Sequence, residues 1–161
     1  MKPVPPEFAE LRSRFLLAAV RIGYSGVELD SIAGIPDAQK GYSIIPEGSE
    51  TDWKASWLVI GHETSMGDPI FIDVEEEMFP VYTAPHGDGS WSPTQIAPSA
   101  GAFFAILSRL ATVAKGRENP MAMEKNPISE IEKDRFLGFL GEFFTEEIPL
   151  FWTLLFETFK E

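Results

Sequence analysis

The spacing of apolar residues changes along this chain, and the change predicts where helices give way to strands. Over residues 8–22, apolar side chains recur every three or four positions, which predicts an N-terminal helix that two prolines open and Gly23 ends. Over residues 57–96, short apolar runs are separated by glycine and proline, a pattern typical of strands joined by turns. The segment from Trp57 to Leu110 is therefore the centre of the predicted fold.

The apolar runs predict short strands whose two faces differ. In the run at residues 69–74, successive side chains alternate, so Ile70 and Ile72 share one face while Phe71 and Asp73 share the other. Glycines and prolines between the runs predict turns. The candidate strands cover residues 27–32, 42–45, 57–60, 69–74, 79–83 and 91–96.

The last third of the chain predicts helices. Ser99 is a good N-cap for a helix that Gly116 ends, and residues 117–127 have the composition of a polar linker. The S-x-x-E sequence at 129–132 is a capping box, so a second helix should begin there and continue to residue 144. A proline then breaks it, and residues 150–159 predict a final aromatic-rich helix.

A helix, a run of strands with hairpin-length connections and a set of helices predict an α+β fold. We expect a mainly antiparallel central sheet of about four to six strands, flanked by an N-terminal helix and C-terminal helices. The length of 161 residues suits a single domain. We expect its core at about residues 5–116 and a C-terminal helical extension at about residues 117–161.

Composition narrows the class of protein. The chain has no cysteine, which excludes disulfides, thiolate metal sites and a cysteine nucleophile. The apolar run at residues 15–20 is short and lacks a convincing cleavage site, so we expect no signal peptide. No apolar run approaches the roughly 20 residues of a membrane span. We therefore expect a cytoplasmic protein that does not bind membranes.

Charge is the most informative part of the composition. The net charge is −12, and residues 46–90 carry ten acidic side chains against Lys54 alone. A surface of this sign repels nucleic-acid phosphates and attracts cationic partners. We expect a basic protein partner and no nucleic acid.

Candidate partner-binding residues are the acids of this region and the aromatic and histidine side chains among them. Trp53 and Trp91 lie in polar stretches, and we expect both to be exposed anchors of an interface. The full set is Glu50, Asp52, Trp53, Glu63, Asp68, Glu75, Glu76, Glu77, His86, Asp88 and Trp91.

Catalytic motifs are missing. His62 and His86 lie near aspartates, which leaves a small metal-dependent hydrolase as an alternative, but no HExxH pair is present. Asp68 and Asp73 have the residue type of a general acid and base, but acidic residues at strand ends are common, so the pair carries little weight. No calcium loop, nucleophile elbow or phosphate-binding glycine loop occurs. We therefore expect no catalytic residue, no metal site and no cofactor.

The central stretch resembles the SUKH superfamily, which contains bacterial immunity proteins and fungal cell-wall-synthesis regulators. The resemblance covers about residues 57–110, roughly a third of the chain. Glycines at 23–26 stand where the family has an Asn-Gly-Gly turn, and the asparagine is absent. The matching positions are Trp57, Ile60-Gly61, Gly67-Asp68-Pro69-Ile70-Phe71-Ile72-Asp73, Pro80-Val81-Tyr82, His86, and Ile96-Ala97-Pro98-Ser99 before Phe103.

The resemblance implies an antiparallel sheet flanked by helices, and no catalysis. It implies a bacterial immunity protein that neutralises a cognate toxin, often a nuclease, by binding it. Because nucleases that grip phosphates have basic clefts, this role agrees with the acidic region. The alternative is a housekeeping regulator or scaffold of the same fold, working through the C-terminal extension, since related members serve different partners.

Overall fold

The computed structural model describes residues 2–157 and confirms the α+β class. Six strands form one sheet in chain order, and every neighbouring pair is antiparallel. The strands are β1 (Ala19–Ile22), β2 (Ser25–Leu29), β3 (Trp57–Glu63), β4 (Pro69–Asp73), β5 (Val81–Thr83) and β6 (Thr94–Ala97). The helices are α1 (Pro6–Arg14), α2 (Ile35–Ala38), α3 (Ala100–Ala114), α4 (Pro120–Lys125), α5 (Glu130–Leu140) and α6 (Leu150–Leu154), with a 3₁₀ turn at Ile32–Gly34.

One face of the sheet is covered by helices and holds the main core. Ile70 and Ile72 point to this side from β4, as the alternation predicts, and both are fully buried. Helix α3 begins at the predicted cap, where the Ser99 hydroxyl accepts a hydrogen bond from the amide of Ala102 at 3.0 Å. Its apolar side then packs on the sheet, with Phe103 fully buried.

The opposite face is covered by loops and carries aromatic side chains. Phe71 points to this side from the centre of β4 and is fully buried. The segment between α2 and β3 folds back over it, since Tyr42 and Trp53 both pack there. We call the following residues the aromatic cluster: Tyr42, Trp53, Trp57, Phe71, Tyr82 and Trp91.

The N-terminal helix is shorter than predicted. Helix α1 ends at Arg14, and residues 19–22 form β1, which pairs with β2 through a tight turn at Gly23 (φ 60°). Val20 and Ile22 are buried and Arg21 is exposed, so this run also has a strand period. The strand predicted at 42–45 is likewise wrong, because these residues form a turn with one isolated bridge between Lys40 and Ile44.

The C-terminal helices also depart in detail from the prediction. Residues predicted as a linker contain α4, which Asn119 caps by accepting from the amide of Ala122 at 2.8 Å. The predicted capping box at Ser129 and Glu132 is present and opens α5. Helix α5 ends at Leu140 rather than 144, and α6 ends at Leu154. The part of the predicted final helix beyond residue 157 lies outside the described residues.

The segment after residue 117 joins the main core. Trp152 is fully buried, and its indole N–H donates to the carbonyl of Ile96 at 2.8 Å. Phe136 and Leu140 of α5 are buried in the same cluster. The C-terminal segment is therefore part of the sheet's cover. None of the helices formed by residues 2–157 has the length and apolar character that a membrane crossing requires.

Candidate functional site

A groove on the aromatic face gathers carboxylates and aromatic rings at one end of β3, β4 and β5. Its volume is about 410 Å³. Three carboxylates line it, with three aromatic rings and one basic side chain. We call this the acidic groove, lined by Asp52, Lys54, Trp57, Asp73, Glu76, Tyr82, Trp91 and Pro93.

The register of β3 and β4 places Asp73 in the acidic groove. Asp73 pairs directly with Trp57 across the two strands, and it lies two residues from Phe71, so all three share the aromatic face. Its side chain is only 6% exposed, and Oδ1 accepts the amide N–H of Glu75 at 3.0 Å. Among residues 2–157, no hydrogen bond engages Oδ2 of Asp73. Oδ2 is not among the fully buried polar atoms that lack a partner, so it is an acceptor open to the groove, where a cation or a donor can reach it.

Tyr82 and Glu76 form a second part of the groove wall. The Tyr82 hydroxyl donates to the Glu76 carboxylate, at 3.0 Å from Oε1 and 3.2 Å from Oε2. Burial raises the pKa of the Tyr82 phenol above its ordinary value of 10.0, and the Glu76 carboxylate adds to that rise. Tyr82 is therefore a neutral donor that orients Glu76 along the groove.

Asp52 ties two loops together at the rim. Its carboxylate accepts the backbone N–H of Trp91, at 3.0 Å from Oδ2 and 3.2 Å from Oδ1. This bond holds the loop before β3 against the loop before β6 and fixes the indole of Trp91 beside the groove. Trp91 is half-buried, so part of its ring stays available to a partner.

A cation already lies in this groove. The ammonium nitrogen of Lys54 lies 5.7 Å from the centroid of the Trp57 ring, within cation–π range. Lys54 is exposed, and it is the single base among residues 46–90. The groove is thus strongly acidic, with one internal counter-charge.

The aromatic cluster supports the groove from below. The Trp53 ring lies 4.7 Å from Phe71 and 5.1 Å from Trp91, measured between centroids. The expectation that Trp53 is exposed is wrong, because it is 6% exposed and its indole N–H donates to the carbonyl of Trp57 at 3.3 Å. Its polar neighbours in sequence conceal this, since they lie on a loop that folds back over β4. Trp53 therefore positions Trp57 and Trp91 and offers no contact area of its own.

Other predicted binding residues lie at the opposite end of the same strands. Asp68 precedes β4, and its Oδ1 lies 2.6 Å from Nδ1 of His86 and accepts the His86 amide at 3.1 Å. Glu63 ends β3 and is buried, contrary to a role in an exposed interface. Its carboxylate accepts the amides of Ser65 at 2.6 Å and Met66 at 2.8 Å, and so holds the β3–β4 turn.

A second groove, of about 510 Å³, lies beside that turn. It is more apolar than the acidic groove and receives side chains from α6. Met66, Leu150 and Leu154 are exposed there at 67%, 72% and 49%. We call this the C-terminal groove, whose apolar lining is Met66, Leu150, Phe151, Leu154 and Leu155.

The remaining predicted residues are scattered on the surface. Glu75 pairs with the ammonium group of Lys2 at 3.3 Å, beside the acidic groove residue Glu76. Glu77 is exposed next to it but does not line the groove. Glu50 and Asp88 are exposed on loops. The eleven predicted residues therefore do not form one site.

Sequence reasoning missed four of the seven charged or aromatic residues that line the acidic groove. The spacing places Trp57 and Asp73 on strands, and the alternation that sets Asp73 with Phe71 assigns it to the face away from Ile70. Lys54 and Tyr82 carried no local signal. The strand register and a loop that folds back bring the groove residues together. Neither feature can be predicted from the residue spacing within one segment.

The histidines do not approach a metal-binding arrangement. His62 lies 3.1 Å from the Tyr42 hydroxyl through Nε2, while His86 pairs with Asp68. Asp68 and Asp73 stand at opposite ends of β4, too far apart for a shared proton. Within the described chain, no group of three or more histidine and carboxylate side chains is placed to hold a metal ion.

Asp30 is a half-buried titratable group near His62. Burial raises its pKa above the ordinary value of 3.8, while His62 and the guanidinium of Arg12 act in the opposite direction. Arg12 donates from Nε to the backbone carbonyl of Asp30 at 2.9 Å. This links α1 to the end of β2, which is a structural role.

No protein-family model matches the sequence, and no match was found among curated proteins or among solved structures.

Proposed function

We propose that the protein is a non-enzymatic binding module of the SUKH type, an immunity protein that neutralises a basic toxin domain, of nuclease type, through its acidic groove. The observation that carries the proposal is the convergence of Asp52, Asp73 and Glu76 with exposed parts of aromatic rings in one groove. Acids supply attraction and register, and rings supply contact area.

Charge supports the choice of partner. Residues 46–90 carry ten acids and one base, and three of those acids line the groove. Such a field accelerates association with a basic surface and repels polyanions. A cleft that grips phosphates is basic, so an acidic groove is complementary to the substrate-binding face of a nuclease. Occupying that face blocks substrate access without any chemistry by the inhibitor.

Preorganisation supports the choice of surface. Asp52 is fixed by the amide of Trp91, and Glu76 is fixed by the Tyr82 hydroxyl. Trp91 is held in addition by ring contacts to Trp53 at 5.1 Å. Rigid aromatic and charged groups lose little conformational entropy on binding, which is how interfaces of ordinary area reach high affinity.

The test uses the product of the neighbouring gene, which the proposal expects to contain a toxin-like domain. The protein should bind that domain and rescue cells that express it. Trp91→Ala should weaken binding about 30-fold or more, as expected for an interface anchor. Glu76→Gln should slow association at low salt, and the exposed neighbour Glu77→Gln should have a much smaller effect because it lies outside the groove. No binding and no rescue by the wild-type protein would sink the immunity proposal.

A second candidate is a scaffold or regulator that works through the C-terminal groove. The exposure of Met66, Leu150 and Leu154 in one apolar groove favours it. In that case Leu150→Glu with Leu154→Glu should change the sedimentation coefficient or abolish partner capture, while Trp91→Ala should leave both unchanged. Deleting residues 117–161 is a poor test, because Phe136 and Trp152 belong to the main core.

A further inference from the structure

We infer that the acidic groove is a receptor for the ammonium group of a lysine side chain from the partner, and that Lys54 is the internal placeholder which that lysine displaces. The inference rests on the proposed function, because it names the chemical group that the same groove recognises. Three observations carry it: a cation in place, an unmet acceptor and a set of rings.

The cation in place is Lys54. Its ammonium nitrogen lies 5.7 Å from the Trp57 ring centroid, in a groove that holds no other base. Within residues 2–157, Lys54 takes part in no ion pair, although Asp52 and Asp73 line the same groove. The ammonium group is thus attracted by the Trp57 ring and by the negative field of the groove, but it forms no ion pair with a carboxylate. A cation held in this way is readily exchanged for another.

The unmet acceptor is Asp73. Its side chain is 6% exposed, and only Oδ1 is engaged, by the amide of Glu75 at 3.0 Å. Oδ2 receives no hydrogen bond from the described residues. Since Oδ2 is not among the fully buried polar atoms that lack a partner, it is open to the groove that Asp73 lines, and an incoming ammonium group, which has three donors and no acceptor, can donate to it.

The rings define the shape of the ligand. Trp57, Tyr82 and Trp91 line the groove together with the acids, and an alkyl chain packs on such rings while its charged end meets carboxylates. The volume of about 410 Å³ accommodates a whole lysine side chain. Ammonium is favoured over guanidinium because an ammonium group already lies over Trp57.

The test measures binding of Nα-acetyl-lysine methylamide to the full chain by NMR, through the indole N–H signals of tryptophan. Signals of Trp57 and Trp91 should shift and saturate, while that of Trp152, buried on the other face, should not move. The norleucine analogue, which has a similar chain without the charge, should bind at least about fivefold more weakly. Equal binding of norleucine overturns the inference, and tighter binding of the arginine analogue overturns the choice of ammonium.

Variants separate the placeholder from the receptor. Lys54→Met removes the competing cation and should tighten lysine binding about two- to fivefold. Lys125→Met, on α4, changes the net charge equally and should have much less effect. Asp73→Asn keeps an acceptor for the Glu75 amide and should weaken binding about fivefold or more. If Asp73→Asn fails to fold, Glu76→Gln, whose side chain is exposed, should weaken binding in the same direction. Unchanged or weaker binding by Lys54→Met contradicts the placeholder.

The two proposals fail in different ways. If groove variants abolish binding of the toxin domain but Lys54→Met tightens neither the domain nor the lysine analogue, the function stands and the placeholder falls. If the lysine analogue binds as described while Trp91→Ala and Asp73→Asn leave the toxin domain bound, the lysine receptor stands and its assignment to the toxin interface falls.

Discussion

The two faces of the sheet use the same strands for different purposes. On β4, Ile70 and Ile72 point into the helix-covered core, where both are fully buried among apolar side chains. Phe71 and Asp73 point the other way, toward rings, carboxylates and a groove. Since successive strand residues alternate in direction, each strand serves both faces at once. Substitutions one residue apart should therefore have unlike consequences.

The two faces of the sheet differ in how completely other elements cover them. Five helices, α1, α2, α3, α5 and α6, contribute fully buried side chains to the first face. The second face is covered by two loops, which are joined where the Asp52 carboxylate accepts the backbone N–H of Trp91, and it stays open at one end. Apolar burial stabilises a fold, while an open polar rim leaves groups for recognition. We expect stability to depend on the helix-covered face and partner binding on the aromatic face.

The largest loss of stability is expected from Trp152→Ala. This change removes a fully buried ring on the helix-covered face and leaves the carbonyl of Ile96 without its donor. The free energy of unfolding should fall by about 3–5 kcal/mol. Urea unfolding followed by circular dichroism measures it. Trp152→Phe, which keeps most of the apolar ring and loses the N–H, should cost less, and a wild-type midpoint for Trp152→Ala would contradict the division of the two faces.

Arg117 is the charged exception on the helix-covered side. It is 8% exposed and donates to Glu132 from two nitrogens, Nη1 to Oε2 at 2.7 Å and Nη2 to Oε1 at 3.1 Å. It also donates to the carbonyls of Val113 and Asn126. Arg117→Met should lower the free energy of unfolding by about 1–3 kcal/mol, because it removes the donors of the partly buried carbonyls of Val113 and Asn126. Lys115→Met, an exposed neighbour, should cost little.

The same pair predicts a pH dependence. Arg117 and the amide of Ser129 lower the pKa of Glu132 from 4.5 to about 2. A carboxyl whose pKa is depressed by folding contributes stability above its unfolded value, and loses it as pH falls from about 4.5 toward 2. The urea midpoint of the wild type should therefore fall more steeply over this window than that of Glu132→Gln. Parallel pH profiles would show that the pair does not stabilise the fold.

Much of the helix-covered face can be predicted from the sequence, because its caps and strand periods depend on residues that are close together in the chain. The Ser99 cap and the capping box at Ser129 are side chains that satisfy amides three residues away. The run at 69–74 has a strand period and strand length. Where two periods overlap, as at residues 15–22, the pairing with β2 decides the outcome, and that partner is identified only in three dimensions.

The aromatic face is less readable, because its contacts are non-local. Trp53 lies among polar residues, which predicts exposure, yet a loop carries it onto Phe71. The sequence predicts that Glu63 is a surface acid, but in the structure its carboxylate accepts the turn amides of Ser65 and Met66. Composition identified the acidic region correctly but could not select which of its acids converge. Only Asp52, Glu76 and Trp91 of the predicted residues line the acidic groove.

Trp91→Ala tests the aromatic face, where we expect a small loss of stability and a larger loss of partner binding. Trp91 is half-buried, so the free energy of unfolding should fall by only about 1 kcal/mol, well below the effect of Trp152→Ala. Its effect on partner binding should be the larger one. Urea unfolding and binding measured on the same preparation give the two values. Trp53→Ala is the contrasting variant within the cluster, and should destabilise by several kcal/mol because that ring is 6% exposed. Equal losses of stability for the two tryptophans would mean that Trp91 is part of the core.

The smallest effect is expected from Glu76→Gln, and its sign is the informative part. Asp52, Asp73 and Glu76 line one groove with a single ammonium group, so their mutual repulsion opposes folding. Glutamine keeps an acceptor for the Tyr82 hydroxyl, which donates to Glu76 at 3.0 Å, while the charge is removed. Glu76→Gln should thus raise the free energy of unfolding by about 0.5 kcal/mol at low salt.

Salt tests the origin of that gain. At 0.5 M NaCl the repulsion is screened, so the wild type and Glu76→Gln should have nearly the same urea midpoint. Glu77→Gln, one residue away and outside the groove, should gain less at low salt. A surface that lowers stability while it strengthens association is expected of a binding site, because like charges are kept close for a partner that is absent from the free protein. If Glu76→Gln is instead less stable at both salt concentrations, the carboxylate stabilises the groove through Tyr82, and the acids on this face are structural.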